Sequence, residues 1–168
     1  MIHTKRASAA TRAAVAGILS VSLLGYGGTA FADPGSGNLQ GDADKAAAAI
    51  AAVAQGATPV TPSADGSDIS VSTDLSSVQI PTAPDGTITM GPASPDAPAA
   101  TLTVSLPRDV TGDRRHGKGT VARDGTVVYP SASTDGTDAA VQVLADGSVR
   151  LATVIKSRKG PLRSTYTL

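Results

Sequence analysis

Apolar and polar side chains alternate most regularly in the last third of the chain. Leu102, Val104 and Leu106 fall on one side of the segment TLTVSLP, and this period of two predicts a β-strand. Farther on, alternating arms flank Asp124-Gly125 and Asp146-Gly147, which predicts two β-hairpins with type I′ turns. We therefore predict a mainly β chain, with a small antiparallel meander or partial sandwich over residues 101–168.

A third Asp-Gly pair, Asp135-Gly136, lies midway between these two, so the pairs recur every 11 residues. A short strand plus its turn recurs at about this interval in a meander. The residues between the pairs do not recur, since SAST does not resemble VQVLA. The spacing therefore indicates successive turns of one sheet and not a structural repeat.

Two segments precede this β region. DADKAAAAIAAVAQ, residues 42–55, predicts one short Ala-rich helix within a flexible N-terminal stretch over 33–56. Asp42 or Asp44 is its expected N-cap, and Gly56 lies where its C-terminal cap belongs. The helix is a docking element for a partner or a frayed helix without one. Residues 57–100 are rich in Pro, Ser, Thr and Ala, which predicts a long disordered linker. Two short edge strands are the alternative within this segment. They would contain the alternating apolar pairs Ile69 with Val71 and Ile88 with Met90.

The first 32 residues have the layout of a secretory signal peptide. Basic residues precede an apolar run of 12 residues at 13–24, and Ala30-Phe31-Ala32 forms a small-x-small cleavage site before Asp33. We expect a secreted, extracellular protein that makes no membrane contact after cleavage. It is either free outside the cell or associated with the cell envelope. Retention of the leader as an anchor is the alternative, although about 20 apolar residues are needed to span a bilayer.

Composition limits the core and the chemistry that the chain can support. It contains no Cys and no Glu, and once the leader is removed Tyr129 and Tyr166 are the aromatic residues left. Alanine buries little area, so the core is expected to be thin. Charge is uneven, with eight Asp and one Lys in residues 33–107 but ten Lys or Arg and six Asp in residues 108–168. The scarcity of aromatic residues argues against nucleic-acid binding.

No constellation of catalytic residues is evident. After the leader the chain holds a single histidine, His116, and no G-x-S-x-G motif, so we predict that the protein is not an enzyme. We predict no cofactor and no metal site, because STDGTDAA offers only Asp135 and Asp138 and these are better explained as turn residues. The polar run DRRHGKG is a candidate anion-binding loop or an exposed loop; its cationic residues are Arg114, Arg115, His116 and Lys118.

The last 45 residues or so resemble a β-rich segment of secreted actinobacterial proteins whose function is uncharacterised. The shared pattern is a VVYP strand, a T-D-x-A-V-Q strand, a D-G-S-V-R hairpin, an I-K pair and a final P-x-x-[YS]-x-[YF]-x-L. The matching positions are Val127, Val128, Tyr129, Pro130, Thr137, Asp138, Val141, Gln142, Asp146, Gly147, Val149, Arg150, Ile155, Lys156, Pro161, Tyr166 and Leu168.

The resemblance implies a β fold and secretion, and it implies no catalytic residues. It also implies further strands beyond Leu168, so we expect the β domain to be truncated. Together these patterns favour a non-enzymatic interaction module of the cell envelope or extracellular space, with a cell-wall polymer or another envelope protein as partner. The alternatives are a truncated remnant, or an accessory fragment of a larger secreted and hydrolytic protein.

Overall fold

A computed structural model describes residues 20–25, 38–65, 68–94, 96, 100–106, 117–131, 136–158 and 167–168. Within these residues the chain forms strands in two sheets and one helix. The elements are β1 (Ser20–Gly25), α1 (Leu39–Ala51), β2 (Ser63–Asp65), β3 (Asp68–Ser72), β4 (Ser76–Pro81), β5 (Thr87–Pro92), β6 (Leu102–Ser105), β7 (Thr120–Val121), β8 (Val127–Tyr129), β9 (Thr137–Val143) and β10 (Val149–Ile155).

The two sheets have different connectivity. The middle sheet runs in the order β2-β3-β4-β5-β6, so each strand pairs antiparallel with the next along the chain. The C-terminal sheet runs in the order β1-β10-β9-β8-β7. Its pairs are antiparallel except that β1 lies parallel to β10. The mainly β class with a partial sandwich and one short helix, predicted from the sequence, is confirmed.

The main core lies between the two sheets. Each sheet turns one face of alternating apolar side chains toward the other, as in a β-sandwich. Backbone hydrogen bonds also join the layers: the N–H of Val60 donates to the carbonyl of Val143 at 2.8 Å, and that of Gly119 to Thr82 at 2.7 Å. The buried members are Ile69, Val71, Val78, Ile80, Ile88, Val104 and Leu106 from the middle of the chain, and Val127, Tyr129, Ala139, Val141, Val143, Val149 and Leu151 from the C-terminal sheet.

Helix α1 covers the opposite face of the C-terminal sheet. Its buried face is Ala43, Ala46, Ala47 and Ile50, and it packs on Ala122, Val128, Ala140 and Ala152. Small side chains on both surfaces let a helix and a sheet approach closely, so alanine builds this second core despite its small area. The Ala-rich composition that predicts a weak helix in isolation therefore suits this packing.

The helix begins and ends earlier than the sequence predicts. Asn38 is the N-cap, and its side-chain oxygen accepts from the N–H of Gly41 at 3.0 Å. The expected caps have other partners: Asp42 pairs with Lys45 at 3.3 Å, and Asp44 accepts from the backbone N–H of Arg123 at 3.0 Å. Ala52 caps the C-terminus, so the prediction that Gly56 does so is wrong.

The linker prediction is wrong for much of residues 57–100, which hold β2 to β5. The prolines that suggested disorder do not interrupt the described strands. Pro81 and Pro92 are the last residues of β4 and β5, and Pro84 lies in the turn between them. Because proline lacks an N–H, it is tolerated at such ends. The apolar pair Val78 and Ile80 is buried at the period of two.

The strand predicted in TLTVSLP is present as β6, but it belongs to the middle sheet and not to the C-terminal one.

Both predicted Asp-Gly hairpins are present, but their turns are not type I′. The N–H of Gly125 donates to the carbonyl of Ala122, and that of Gly147 to Leu144, at 2.9 and 2.8 Å. This bonding places each Asp at the centre of the turn and each Gly at its last position. The φ of +90° at Gly125 and +79° at Gly147 then fits a three-residue loop with a glycine bulge. Asp135 lies outside the described residues.

Candidate functional site

The predicted anion-binding loop is described only at its end. Arg114, Arg115 and His116 lie outside the described residues, whereas Lys118 is exposed. The glycines on either side of Lys118 are held by backbone bonds, since Gly117 donates to the carbonyl of Pro130 at 2.9 Å. Anion binding by this run stays a prediction. The residues of the predicted cleavage site, Ala30, Ala32 and Asp33, also lie outside the described part of the chain.

Two features are absent from the described residues. No group of three or more His, Cys, Asp or Glu in these residues is placed to hold a metal ion. No helix among them is both long and apolar enough to cross a bilayer.

A buried ion pair lies on the helix-covered face of the C-terminal sheet. The Nζ atom of Lys156 is 2.8 Å from Oδ1 of Asp138, and their side chains are 16% and 4% exposed. The prediction that Asp138 is a turn residue is wrong, because Asp138 is the second residue of β9. Its partner follows the last residue of β10, so the pair joins the open end of the β9–β10 hairpin.

Ser131 holds both members of this pair through its backbone. Its N–H donates to Oδ1 of Asp138 at 2.7 Å, and its carbonyl accepts from Nζ of Lys156 at 2.9 Å. Burial raises the pKa of the Asp138 carboxyl, and the charge and hydrogen bond of Lys156 act in the opposite direction. We name Ser131, Asp138 and Lys156 the Asp-Lys cluster.

A second polar chain crosses the same face near the C-terminal end of α1. Arg150 donates through Nη1 to Oε1 of Gln142 at 3.1 Å and through Nη2 to the carbonyl of Gln55 at 2.8 Å. Gln142 in turn donates to the hydroxyl of Thr126 at 2.8 Å, and that hydroxyl donates to Asp124 at 2.9 Å. The chain of bonds therefore ties the end of the helix to the first hairpin turn. Both Gln142 and Arg150 are buried, as polar groups with partners can be.

The outer edge of β10 is the third feature. β1 pairs with it over six residues, from Ser20 opposite Arg150 to Gly25 opposite Ile155. β1 thus lies inside the predicted leader, and most of it belongs to the apolar run that marks residues 13–24. The edge is therefore occupied by a segment that cleavage before Asp33 would remove.

Sequence reasoning missed the Asp-Lys cluster and the glutamine–arginine chain. Asp138, Ala140 and Gln142 alternate with apolar residues, a pattern typical of a solvent-facing side. That face is instead covered by α1. The available signal was the row of alanines at Ala140, Ala152 and along the helix, which could have indicated close packing.

The comparisons with known proteins add no identification, since no family model, no curated protein and no solved structure matches this chain.

Proposed function

We propose that this protein is an exported, non-catalytic interaction module that binds an extended segment of another envelope protein along the edge of β10. The leader over residues 1–32 is removed on export in this proposal. The observation that carries it is the occupation of the β10 edge by β1, because that strand leaves with the leader.

Removal of β1 leaves a row of backbone N–H and C=O groups without their strand partner. Such an edge is a template for pairing with another chain. β10 has seven residues, whereas the other edge strands, β2, β6 and β7, have three, four and two. It contains no proline, and Arg150 is its sole charged residue. Features that protect sheet edges are therefore scarce along it.

The edge favours a polypeptide over a polysaccharide. Strand addition recognises its ligand through the regular spacing of main-chain hydrogen bonds, with side-chain pockets adding specificity. β1 already pairs with β10 in this way, in parallel orientation and without a break in register. A wall polymer would instead be expected at the basic run near Lys118 and not at β10.

The non-catalytic part of the proposal rests on composition. Nucleophilic and general-base chemistry in proteins draws mainly on Cys, Ser, His, Lys and carboxylates placed in contact with one another. The chain has no Cys and no Glu. Among the described residues, the ion pair of Lys156 with Asp138 is buried, with side chains that are 16% and 4% exposed, on the sheet face against which α1 packs.

Hydrogen exchange of the backbone amides would test the edge. In the chain lacking residues 1–32, alternate amides of residues 150–155 should exchange quickly, and they should become protected on addition of a peptide spanning residues 18–27. Amides of β6, at the edge of the other sheet, serve as the matched control and should not respond. Protection of β10 that is present without peptide and independent of protein concentration would contradict the proposal. Protection that rises with protein concentration would indicate a second copy as the occupant.

The partner class can be tested separately with isolated cell envelopes. The leaderless protein should sediment with them, and the 18–27 peptide should release it. Pretreatment of the envelopes with protease should abolish this binding, because the proposed partner is a protein. Binding that survives protease and ignores the peptide would favour a wall polymer, and a protein left entirely in the supernatant would argue against both.

A further inference from the structure

The Asp-Lys cluster holds an amine and a carboxyl group in contact within a buried place. Nζ of Lys156 lies 2.8 Å from Oδ1 of Asp138. The backbone of Ser131 hydrogen-bonds to both groups: its N–H donates to the carboxyl at 2.7 Å, and its carbonyl accepts from the amine at 2.9 Å. This is the arrangement of two reactants fixed at close range by one residue.

We propose that Lys156 and Asp138 condense into an intramolecular amide bond, which cross-links the open end of the β9–β10 hairpin. A bond forms between Nζ of Lys156 and Cγ of Asp138, and the bond from Cγ to one carboxyl oxygen breaks. That oxygen leaves as water with two of the three ammonium protons. The ion pair and the products, one amide and one water, have the same atoms and the same zero net charge. The reaction therefore needs no oxidant, reductant or cofactor.

The groups around the pair influence this step in two ways. The amine must first pass a proton to the carboxylate. Burial raises the pKa of Asp138, which favours the protonated acid, while Lys156 and the N–H of Ser131 act in the opposite direction without cancelling this effect. The carboxylate of Asp42, in the first turn of α1, raises it further. The amine and the N–H of Ser131 both contact Oδ1, so Oδ1 is the oxygen that takes the proton and leaves as water, and the fixed N–H holds it in place.

A cross-link here would serve a chain that has no other covalent staple. The sequence contains no Cys, so disulfides are excluded. Closing the hairpin at the end opposite the Asp146-Gly147 turn would reduce the freedom of the unfolded chain, as a disulfide does. This inference concerns the covalent state of the protein and does not depend on what binds the β10 edge.

The test is the mass of the intact, folded chain. We expect a mass lower than that of the sequence by one water molecule. After trypsin, the fragment 124–150, which contains Asp138, should appear joined to the fragment 151–158, uncleaved after Lys156. Without the bond, trypsin would release residues 151–156 as a separate fragment.

One side reaction gives the same loss of mass and needs its own control. Asp-Gly pairs, frequent in this chain, lose water to form succinimides, which mild alkali reverses, whereas an amide bond between side chains survives. The matched variant is Lys156→Arg, which keeps the positive charge but should show the full sequence mass. The fragment spectrum of the unaltered chain decides the matter even if the variant does not fold.

A water loss that persists in alkali and maps to the joined fragments supports the cross-link. A full sequence mass, separate fragments, or a loss that alkali reverses would each overturn it.

Discussion

The phenolic hydroxyl of Tyr129, in β8, donates a hydrogen bond to the backbone carbonyl of Pro81, the last residue of β4. Tyr129 is fully buried, and it lies in a core otherwise made of aliphatic side chains. The bond joins the C-terminal sheet to the middle sheet across the sandwich. A polar contact at this position fixes how the two sheets are placed relative to one another, because aliphatic packing alone is less directional.

Tyr129→Phe is expected to lower the free energy of unfolding by about 1 to 2 kcal/mol at neutral pH. The variant keeps the ring and its packing but leaves the Pro81 carbonyl without this donor, and an unmade hydrogen bond in a part-buried place costs that much. Urea unfolding measures the difference. An unchanged midpoint would show that the bond contributes nothing to the docking of the sheets.

The same substitution should change the response to alkali. Burial raises the pKa of Tyr129 above its usual value near 10. The folded chain therefore keeps a proton that the unfolded chain loses, so this contribution to stability is complete below about pH 10 and falls as pH rises further, by about 1.4 kcal/mol per pH unit. Tyr129→Phe lacks this slope. The stabilities of the two proteins should converge near pH 11, and parallel curves would contradict the argument.

Gly125→Ala and Gly147→Ala should each destabilise the protein by about 1 to 2 kcal/mol, because both glycines have positive φ. Gly125 should be the more sensitive of the two. A Cβ there would lie 2.7 Å from the carbonyl oxygen of Val60, which is backbone, whereas at Gly147 the nearest atom is the Cβ of Leu75 at 3.0 Å.

Gly91→Ala is the matched control for both turn variants. Gly91 is also in the sheet region, but its φ is not positive and a Cβ would meet nothing within 4 Å. Thermal unfolding should place this variant close to the unaltered protein. Equal losses for Gly91 and Gly125 would mean that the turn conformation is not the cause.

The sequence predicted the parts of the fold that depend on neighbouring residues. Alternation around Asp124-Gly125 and Asp146-Gly147 located the hairpins, since a strand's faces and its turn are adjacent in the chain. The type of turn could not be predicted, because the same Asp-Gly pair fits a type I′ turn or a bulged loop. The middle sheet was missed because Ser, Thr and Pro surround short apolar pairs such as Val78 and Ile80, and composition outweighed the period of two.

The candidate site depended on contacts between distant residues. Asp138 and Lys156 meet because of the β9–β10 register, and Ser131 reaches both from the preceding strand connection. Neither fact is encoded in local spacing. The alternation in the sequence does place Asp138 and Gln142 on one face of the strand. The helix that packs on this face is about 90 residues away in the chain, and only tertiary packing brings it there.

Arg150→Met is expected to cost about 2 to 3 kcal/mol. It removes the donor to Gln142 and to the carbonyl of Gln55, and it leaves the buried Oε1 of Gln142 without that partner. Arg123→Met is the control, since Arg123 pairs with Asp44 at 3.2 Å with its own side chain 88% exposed. An exposed pair contributes about 1 kcal/mol or less. Chemical unfolding of both variants tests the contrast, and similar losses would show that burial of the Gln142–Arg150 chain is unimportant.

Ala46→Leu should destabilise the protein by about 1 to 3 kcal/mol, although leucine is also a good helix former. Ala46 is 3% exposed and packs against the alanine-lined face of the C-terminal sheet, where there is no room for three more carbons. Ala48→Leu is the control, because Ala48 lies on the exposed side of the same helix. It gives the same change in helix propensity without the overpacking, so it should be near neutral. Circular dichroism during thermal unfolding compares the two. If Ala46→Leu were tolerated as well as Ala48→Leu, the close contact of α1 with β8, β9 and β10 would not be the packing that holds the helix in place.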